Sequence, residues 1–518
     1  MTTAKWWELV RGLCAAGLIA VAVPGAARAQ QRDGGAAEAT TAQVLRELKD
    51  QVAELQSTIR DLRDETSRYH AETQELRAEL KAALAQPRAS VAAPPAEAAP
   101  VRPDAAAATT VEDGIAKLQE QYDLLSGKVD EQYQTKVESA SKYRVRLSGI
   151  VLLNLFENHG SVDNQDVPAI AVSPVYRTNG SFGGTLRQSQ VGLEVFGPTW
   201  RGARVKSNLQ FDFGGGFPGT ENGVAMGVVR LRTAVLRLDW PTTSVIGGQD
   251  APFFSPLSPT SLASLAQPAL AYSGNLWNWI PQLRVEHRMG VAGGSNFTVQ
   301  AGILDPLTGE APTDSFYRLP QAGEASRQPA YATRFAWTSA DESRPRSFGV
   351  GGYYSRQNWG FGRMVDGWAV TADASIPISR WFSLTGEMYR GRAIGGLGGG
   401  LGDTALYDGS SPIYKAKVKG LDVVGGWAQM KMRASPRLEF NVAAGQDNPF
   451  ASQLRSGSVA GSPYYPDTVR NRSLLTNVIY HPRSDLLLSM EYRRIESYKL
   501  VLPNRDADQI NLVMGVLF

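Results

Sequence analysis

The sequence predicts an all-β transmembrane barrel of about sixteen antiparallel strands, an even number as bacterial barrels require, behind an N-terminal α-helical coiled coil. Three observations predict it. From residue 143 to residue 518 apolar and polar residues alternate with a period near two. The connections between alternating segments switch between short and long. Ahead of residue 143 the apolar residues recur at helical spacing instead.

The totals narrow the classes. With 518 residues the chain exceeds one ordinary domain, and its formal net charge of +3 lacks the basic excess of a nucleic-acid binder. The histidines are His70, His159, His287 and His481, with no pair at metal-ligand spacing, so neither a metal nor another cofactor is expected. Beyond the N-terminus no apolar run reaches the roughly 20 residues a membrane helix needs.

Residues 1–29 read as a secretory signal peptide. Lys5 and Arg11 supply positive charge, Leu13 to Val23 an apolar core, and Ala27-Arg28-Ala29 a small-x-small cleavage site, which would start the mature chain at Gln30. The only cysteine, Cys14, lies in this segment, so the mature chain would have no disulfide chemistry.

Residues 41–85 read as a periplasmic coiled coil. Leu45, Leu48, Val52, Leu55, Ile59, Leu62, Thr66, Tyr69, Thr73, Leu76, Leu80 and Ala83 alternate three- and four-residue spacing. That narrow seam suits a partner helix better than a single amphipathic helix lying on a surface. Pro87 ends the helix, and residues 86–109, with Pro94, Pro95, Pro100 and Pro103 among alanines, read as a linker. Residues 110–138 form a short helical segment on Val111, Ile115, Leu118, Tyr122, Leu125 and Val129.

Residues 143–518 are the barrel. In 203–213, Ala203, Val205, Ser207, Leu209, Phe211 and Phe213 face one way, and Arg204, Lys206, Asn208, Gln210 and Asp212 the other. Similar alternation recurs near 297–303, 368–376, 382–389, 438–445, 486–493 and 510–518. Apolar-out, polar-in strands of about ten residues mark a membrane barrel. Short links near 197–202, 241–244, 289–294, 377–380, 433–437 and 481–485 read as periplasmic turns. Long links near 158–184, 214–226, 251–281, 305–328, 392–420 and 447–469 read as outer loops. Trp200, Trp240, Trp337 and Trp381 fall near the turns, and Trp277, Trp279, Trp359 and Trp368 near the loops, as two aromatic belts would. The alternating segment ending at Phe518 resembles the assembly signal of outer-membrane proteins.

Strand parity assigns the lumen. The basic residues expected to line it are Arg204, Lys206, Arg230, Arg232, Arg284, Arg288 and Arg334, with Arg144 and Arg146 at the start. The acidic ones are Asp373, Glu387, Glu439 and Glu491, in the later half. One wall would be positive and the opposite wall negative, and cationic side chains along a pore favour anions. In the fourth strand Leu236 and Leu238 share the face of Arg230 and Arg232, which a bulge would explain. The link 251–281 carries Phe253, Phe254, Trp277 and Trp279, so it is expected to fold into the barrel and narrow it.

These features resemble the DcaP-like trimeric porins, relatives of the phosphate-selective porins. Gly386-Glu387-Met388-Tyr389-Arg390-Gly391 and Gly425-Gly426-Trp427-Ala428-Gln429 look similar to stretches of that family. The resemblance implies a homotrimer in outer-membrane lipid, each chain passing small anionic or polar solutes. It departs from the family in having no clear match to a lysine-rich phosphate ladder.

Two other classes fit the residues less well. His159 and His481 have no recognisable Ser partner, and Gly395–Gly402 lacks the Lys-Ser/Thr of a phosphate loop, so no enzyme is expected. The alternative function is a structural tether or adhesin that uses the barrel as anchor and the coiled coil as spacer.

Overall fold

A computed structural model describes residues 143–174, 179–216, 227–310, 318–341, 343–408, 410, 415–456 and 468–518. All of them belong to one compact unit, Ile115–Phe518. The signal peptide, coiled coil, linker and short helical segment lie outside the described residues.

Sixteen antiparallel strands close into a barrel, each paired with its neighbours in sequence. They are β1 (Arg144–His159), β2 (Gly180–Thr185 with Gln190–Phe196), β3 (Arg204–Asp212), β4 (Arg230–Asp239), β5 (Thr243–Asp250), β6 (Ile280–Gly290), β7 (Asn296–Leu304) and β8 (Ala330–Thr338). Then follow β9 (Ser347–Asn358), β10 (Met364–Pro377), β11 (Phe382–Arg392), β12 (Asp422–Ser435), β13 (Leu438–Pro449), β14 (Thr468–Tyr480), β15 (Leu486–Lys499) and β16 (Arg505–Leu517). Both pieces of β2 pair with β1, so they form one interrupted strand. Among the described residues no helix is long and apolar enough to cross a membrane, which bears on helices alone.

The connections alternate as the sequence implies. At one end the links are short, from the two residues between Ser435 and Leu438 to the eight between Thr338 and Ser347. At the other end six links are long, and 359–363 and 500–504 are brief exceptions.

Side-chain alternation sets two faces. In β1, Val151 and Leu155 point outward and are exposed, whereas Leu152, Asn154 and Asn158 point inward and are buried. Exposed apolar side chains on the outside are what a hydrocarbon environment favours. The inner face, however, is not uniformly polar. Ile150, Leu152, Leu475 and Val513 point inward and are buried, because loops pack against them.

The bulge expected near Arg230 exists. Gln210 pairs with Thr233 but Phe211 pairs with Leu231, so Arg232 is an extra residue. It lets Arg230 and Arg232 face inward while Leu236 stays outside.

β1 and β16 close the barrel from Ile150↔Leu517 to His159↔Asp508. Phe518 extends the seam: its N–H donates to the Gly149 carbonyl at 3.1 Å, and the Gly149 N–H donates to its carbonyl at 2.9 Å. The Phe518 ring lies over Gly149, where a Cβ would meet ring carbon at 2.5 Å and the Gln190 carbonyl at 2.6 Å. Glycine is therefore required by close approach at the seam. Gly149→Val should cost about 1–3 kcal/mol of overpacking and reduce the fraction of heat-modifiable, folded barrel on a gel. Gly290→Ala, where a Cβ meets nothing within 4 Å, should leave it unchanged.

Candidate functional site: the barrel interior

The interior is built from inward strand residues and from loops that enter at the long-loop end. The link 251–279, between β5 and β6, is the principal one, and it lies inside the barrel. Phe254 is fully buried, stacks on Tyr353 of β9 at 5.3 Å, and accepts a bond at its carbonyl from Thr371 of β10. The Thr260 N–H donates to Gln429 of β12 at 2.6 Å, and Asn477 of β14 donates to the Thr260 carbonyl at 2.8 Å. Farther along, the Ser273 and Ser473 hydroxyls are 3.0 Å apart, and Trp277 N–H donates to the Leu397 carbonyl at 3.0 Å. Backbone groups brought inside must find partners, and inward polar side chains supply them.

Other links pack beside it. In 160–174, the Ala169 carbonyl accepts from Asn471 at 2.8 Å and the Pro168 carbonyl from Arg493 at 3.2 Å. In 393–421, Gly395 to Gly400 are buried. Asp447 of β13, fully buried, accepts from the Leu401 N–H at 2.7 Å and from the Tyr389 hydroxyl at 2.9 Å. The glycine-rich run is thus a packed turn cluster rather than an exposed loop.

The acidic residues expected to line the lumen all point inward, but each is engaged. Glu387 accepts from the Ser255 hydroxyl and the Leu257 N–H, both at 2.7 Å, and Glu491 from the Ser261 hydroxyl at 2.6 Å and from Arg493 at 2.8 Å. Both are buried beneath the loop, so they hold it rather than line an open passage. Glu439 pairs with Lys431 at 2.9 Å and is bonded by Asn441 at 2.9 Å. Asp373 of β10 reaches across β9 to Arg334 of β8, with oxygens 2.7 and 3.0 Å from two guanidinium nitrogens. Gly349 of β9 makes that span possible, since a Cβ there would meet Asp373 oxygen at 2.3 Å and Arg334 nitrogen at 2.6 Å.

The basic wall also differs from a row of free cations. Arg230 holds Asp212 at 2.7 Å, Arg232 approaches the same carboxylate at 3.5 Å, and both stack on Trp279, at 4.6 and 4.9 Å. Arg284 is buried between Asp250 at 2.9 Å and Glu286 at 3.2 Å. Arg288 donates to the Ser244 hydroxyl at 3.0 Å and lies 3.9 Å from Glu286. Arg237, absent from the expected set, bridges Asp239 at 2.6 Å and Glu286 at 3.2 Å.

At the short-turn end the arrangement is more open. Lys206, Arg144 and Arg146 surround the Phe196 ring at 5.9, 5.9 and 5.5 Å. Beside that ring Arg146 pairs with Glu194 and Arg237 with Asp239; Lys206 acts on Asp239 electrostatically, but neither it nor Arg204 has a carboxylate oxygen within 4.0 Å among the described residues.

The division into a positive and a negative wall is therefore corrected. Asp212, Asp239, Asp250 and Glu286 share the basic wall, and the far-wall carboxylates are covered or paired. Parity could have shown Glu286, which alternates with Arg284 and Arg288. Gln188 and Gln429, which bind the loop, carried no charge to draw notice. Trp277 and Trp279 are also corrected: they pack against each other inside, with centroids 5.5 Å apart, instead of standing in an interfacial belt. Among the described residues no group of three or more His, Cys, Asp or Glu could hold a metal ion.

The structure thus defines a porin-type barrel: sixteen closed strands with an inward loop and an arginine-rich inner wall. It has the fold of the outer membrane channel DcaP of Acinetobacter baumannii, with a TM-score of 0.55 and 16% identity over 74% of this chain and 99% of that one. Weaker likenesses include an anion-selective porin from Comamonas acidovorans (TM-score 0.44, 11% identity, 73% and 100% covered) and Pseudomonas putida OprB (TM-score 0.45, 13% identity, 73% and 94% covered). No protein-family model and no curated protein sequence matches the chain.

One titratable group in the glycine-rich link bears on loop packing. Burial pushes the Asp403 carboxyl up to about 6. A folded-state value above the unfolded one gives stability that is full at low pH and lost as pH rises through about 6. Asp403→Asn should therefore melt higher than the unsubstituted protein at pH 8 and equally at pH 4, as read by thermal unfolding in detergent.

Proposed function

We propose that this chain is an outer-membrane porin that lets small polar, preferentially anionic, solutes diffuse through its barrel. The observation that carries the anionic reading is the asymmetry of engagement. The four far-wall carboxylates are spent on the loop or on cations, whereas Arg204 and Lys206 face the interior with no ion pair among the described residues. A low-dielectric wall concentrates such a field across an aqueous path. A barrel of sixteen strands is in the size range that leaves an aqueous channel. The fold shared with an outer membrane channel supports the class of function.

In this reading the short turns face the periplasm with the coiled coil 41–85, the long links face outward, and three copies associate in outer-membrane lipid. No catalysis and no cofactor is assigned. Single-channel recording in a planar bilayer under a salt gradient tests it. The unsubstituted protein should give an anion-leaning reversal potential, and Arg204→Glu with Lys206→Glu should shift it toward cations. A cation-leaning value in the unsubstituted protein would sink the anionic reading. Deletion of 41–109 should leave conductance in place, whereas a tether would lose its envelope-linking role and show no channel in either form.

A further inference from the structure

Among the described residues the wall of the barrel is interrupted in β2. Asn154 pairs with Thr185 and Ile150 with Gln190, so three residues of β1 face the four residues 186–189. A break in a membrane strand leaves backbone groups without ladder partners, and in hydrocarbon that is costly. Here the Ser189 hydroxyl fills the gap: it accepts from the Leu152 N–H at 3.0 Å and reaches the Leu152 carbonyl at 3.5 Å.

The break changes parity. Gln188 and Ser189 are consecutive, yet both are buried, Gln188 completely. Regular alternation would send one of them outward. Gln188 instead meets the tip of the interior loop. Its amide nitrogen donates to the Ala263 carbonyl at 2.8 Å, and its oxygen accepts from the N–H groups of Leu265 at 2.7 Å and Ala266 at 3.3 Å. A side-chain amide has the same donor and acceptor as a peptide group, so one residue gives the loop tip a short piece of ladder. Leu262 and Leu265 pack beside it on Ile150, Leu152, Leu487 and Val513. The tip is thereby fixed to the wall far from the loop's two ends.

We propose that the interruption of β2 is a latch for the tip of the interior loop, and that Gln188 is a positioning residue that, beside the contacts of Arg230, Gln190 and Arg493 with the same tip, keeps residues 263–266 on the wall and sets the steadiness of the passage. The inference rests on the porin reading. Gln188 touches no solute. It acts through residues 263–266.

The test compares the unsubstituted protein with Gln188→Leu and Gln188→Glu in planar bilayers, with heat-modifiable gel migration to confirm folded barrels. Gln188→Leu keeps the volume and removes all three bonds, and it should replace a steady single level by a larger, flickering one. Gln188→Glu should flicker at neutral pH, where a carboxylate cannot donate to Ala263. It should steady as pH falls, because a protonated carboxyl again offers one donor and one acceptor. Arg187, Asp166, Arg230, Asp212, Arg493 and Glu491 lie near the tip, so the unsubstituted protein is recorded at each pH. Recovery confined to Gln188→Glu is an outcome that a merely structural role would not give.

Limited proteolysis of residues 251–279 supplies an independent measurement, with faster cleavage expected in Gln188→Leu. A folded Gln188→Leu with unchanged conductance, noise and cleavage overturns the latch. Absence of conductance in the unsubstituted protein overturns the porin reading alone, and the cleavage comparison then decides the latch.

Discussion

A strand crossing hydrocarbon has no water to take its backbone hydrogen bonds, so every N–H and C=O must be satisfied by the chain itself. Closure answers this constraint, and the rest of the molecule follows from it. The β1–β16 seam removes the two edges an open sheet would keep. The seam is continued by Gly149 and Phe518, whose reciprocal bonds require a residue with no side chain under the ring. Where the ladder does fail, at 186–189, the Ser189 hydroxyl replaces it at Leu152. Closure also creates an interior whose contents the strands alone do not decide.

The loop 251–279 decides much of it. It brings an apolar surface into a nominally polar lumen, and the inner face answers with Ile150, Leu152, Leu487 and Val513 at its tip and Tyr353 under Phe254. Its backbone and hydroxyl groups take up Glu387, Gln429 and Glu491. The same contacts that seat the loop therefore cover negative side chains of the inner face. Packing and electrostatics are coupled here, since a carboxylate that accepts loop bonds under cover is no longer open to the interior.

The basic wall shows the complementary balance. Burying a charge without a partner is strongly unfavourable, whereas pairing it returns much of that cost. Asp212, fully buried, serves both Arg230 and Arg232, and Trp279 covers both guanidinium planes. Arg334 and Asp373 meet over Gly349. These pairs brace the wall where loops cover it. Toward the short turns the cover ends, and Arg204 and Lys206 form no such pair among the described residues.

Much of this was legible in the residues. Period-two alternation from 143 onward gave the strands, and alternating link lengths gave their antiparallel order. Parity is a local reading, because successive side chains on a strand point opposite ways whatever the neighbouring strand is. Even the bulge at Arg232 announced itself, as Leu236 and Leu238 conflicted with Arg230. Sequence pattern did not reveal which charges neutralise one another. Arg334 and Asp373 are brought together by register across β9, and Glu387 meets Ser255 although 132 positions separate them. Gln188 was hidden for a related reason: the break shifts its parity, and its value lies in a loop tip that is near only after the barrel has closed. The sequence by itself determined which side of the wall each strand residue faces, a local property of the pleat. Tertiary structure alone decided which partner each inward group meets, because that depends on register, closure and the path of a loop through the interior.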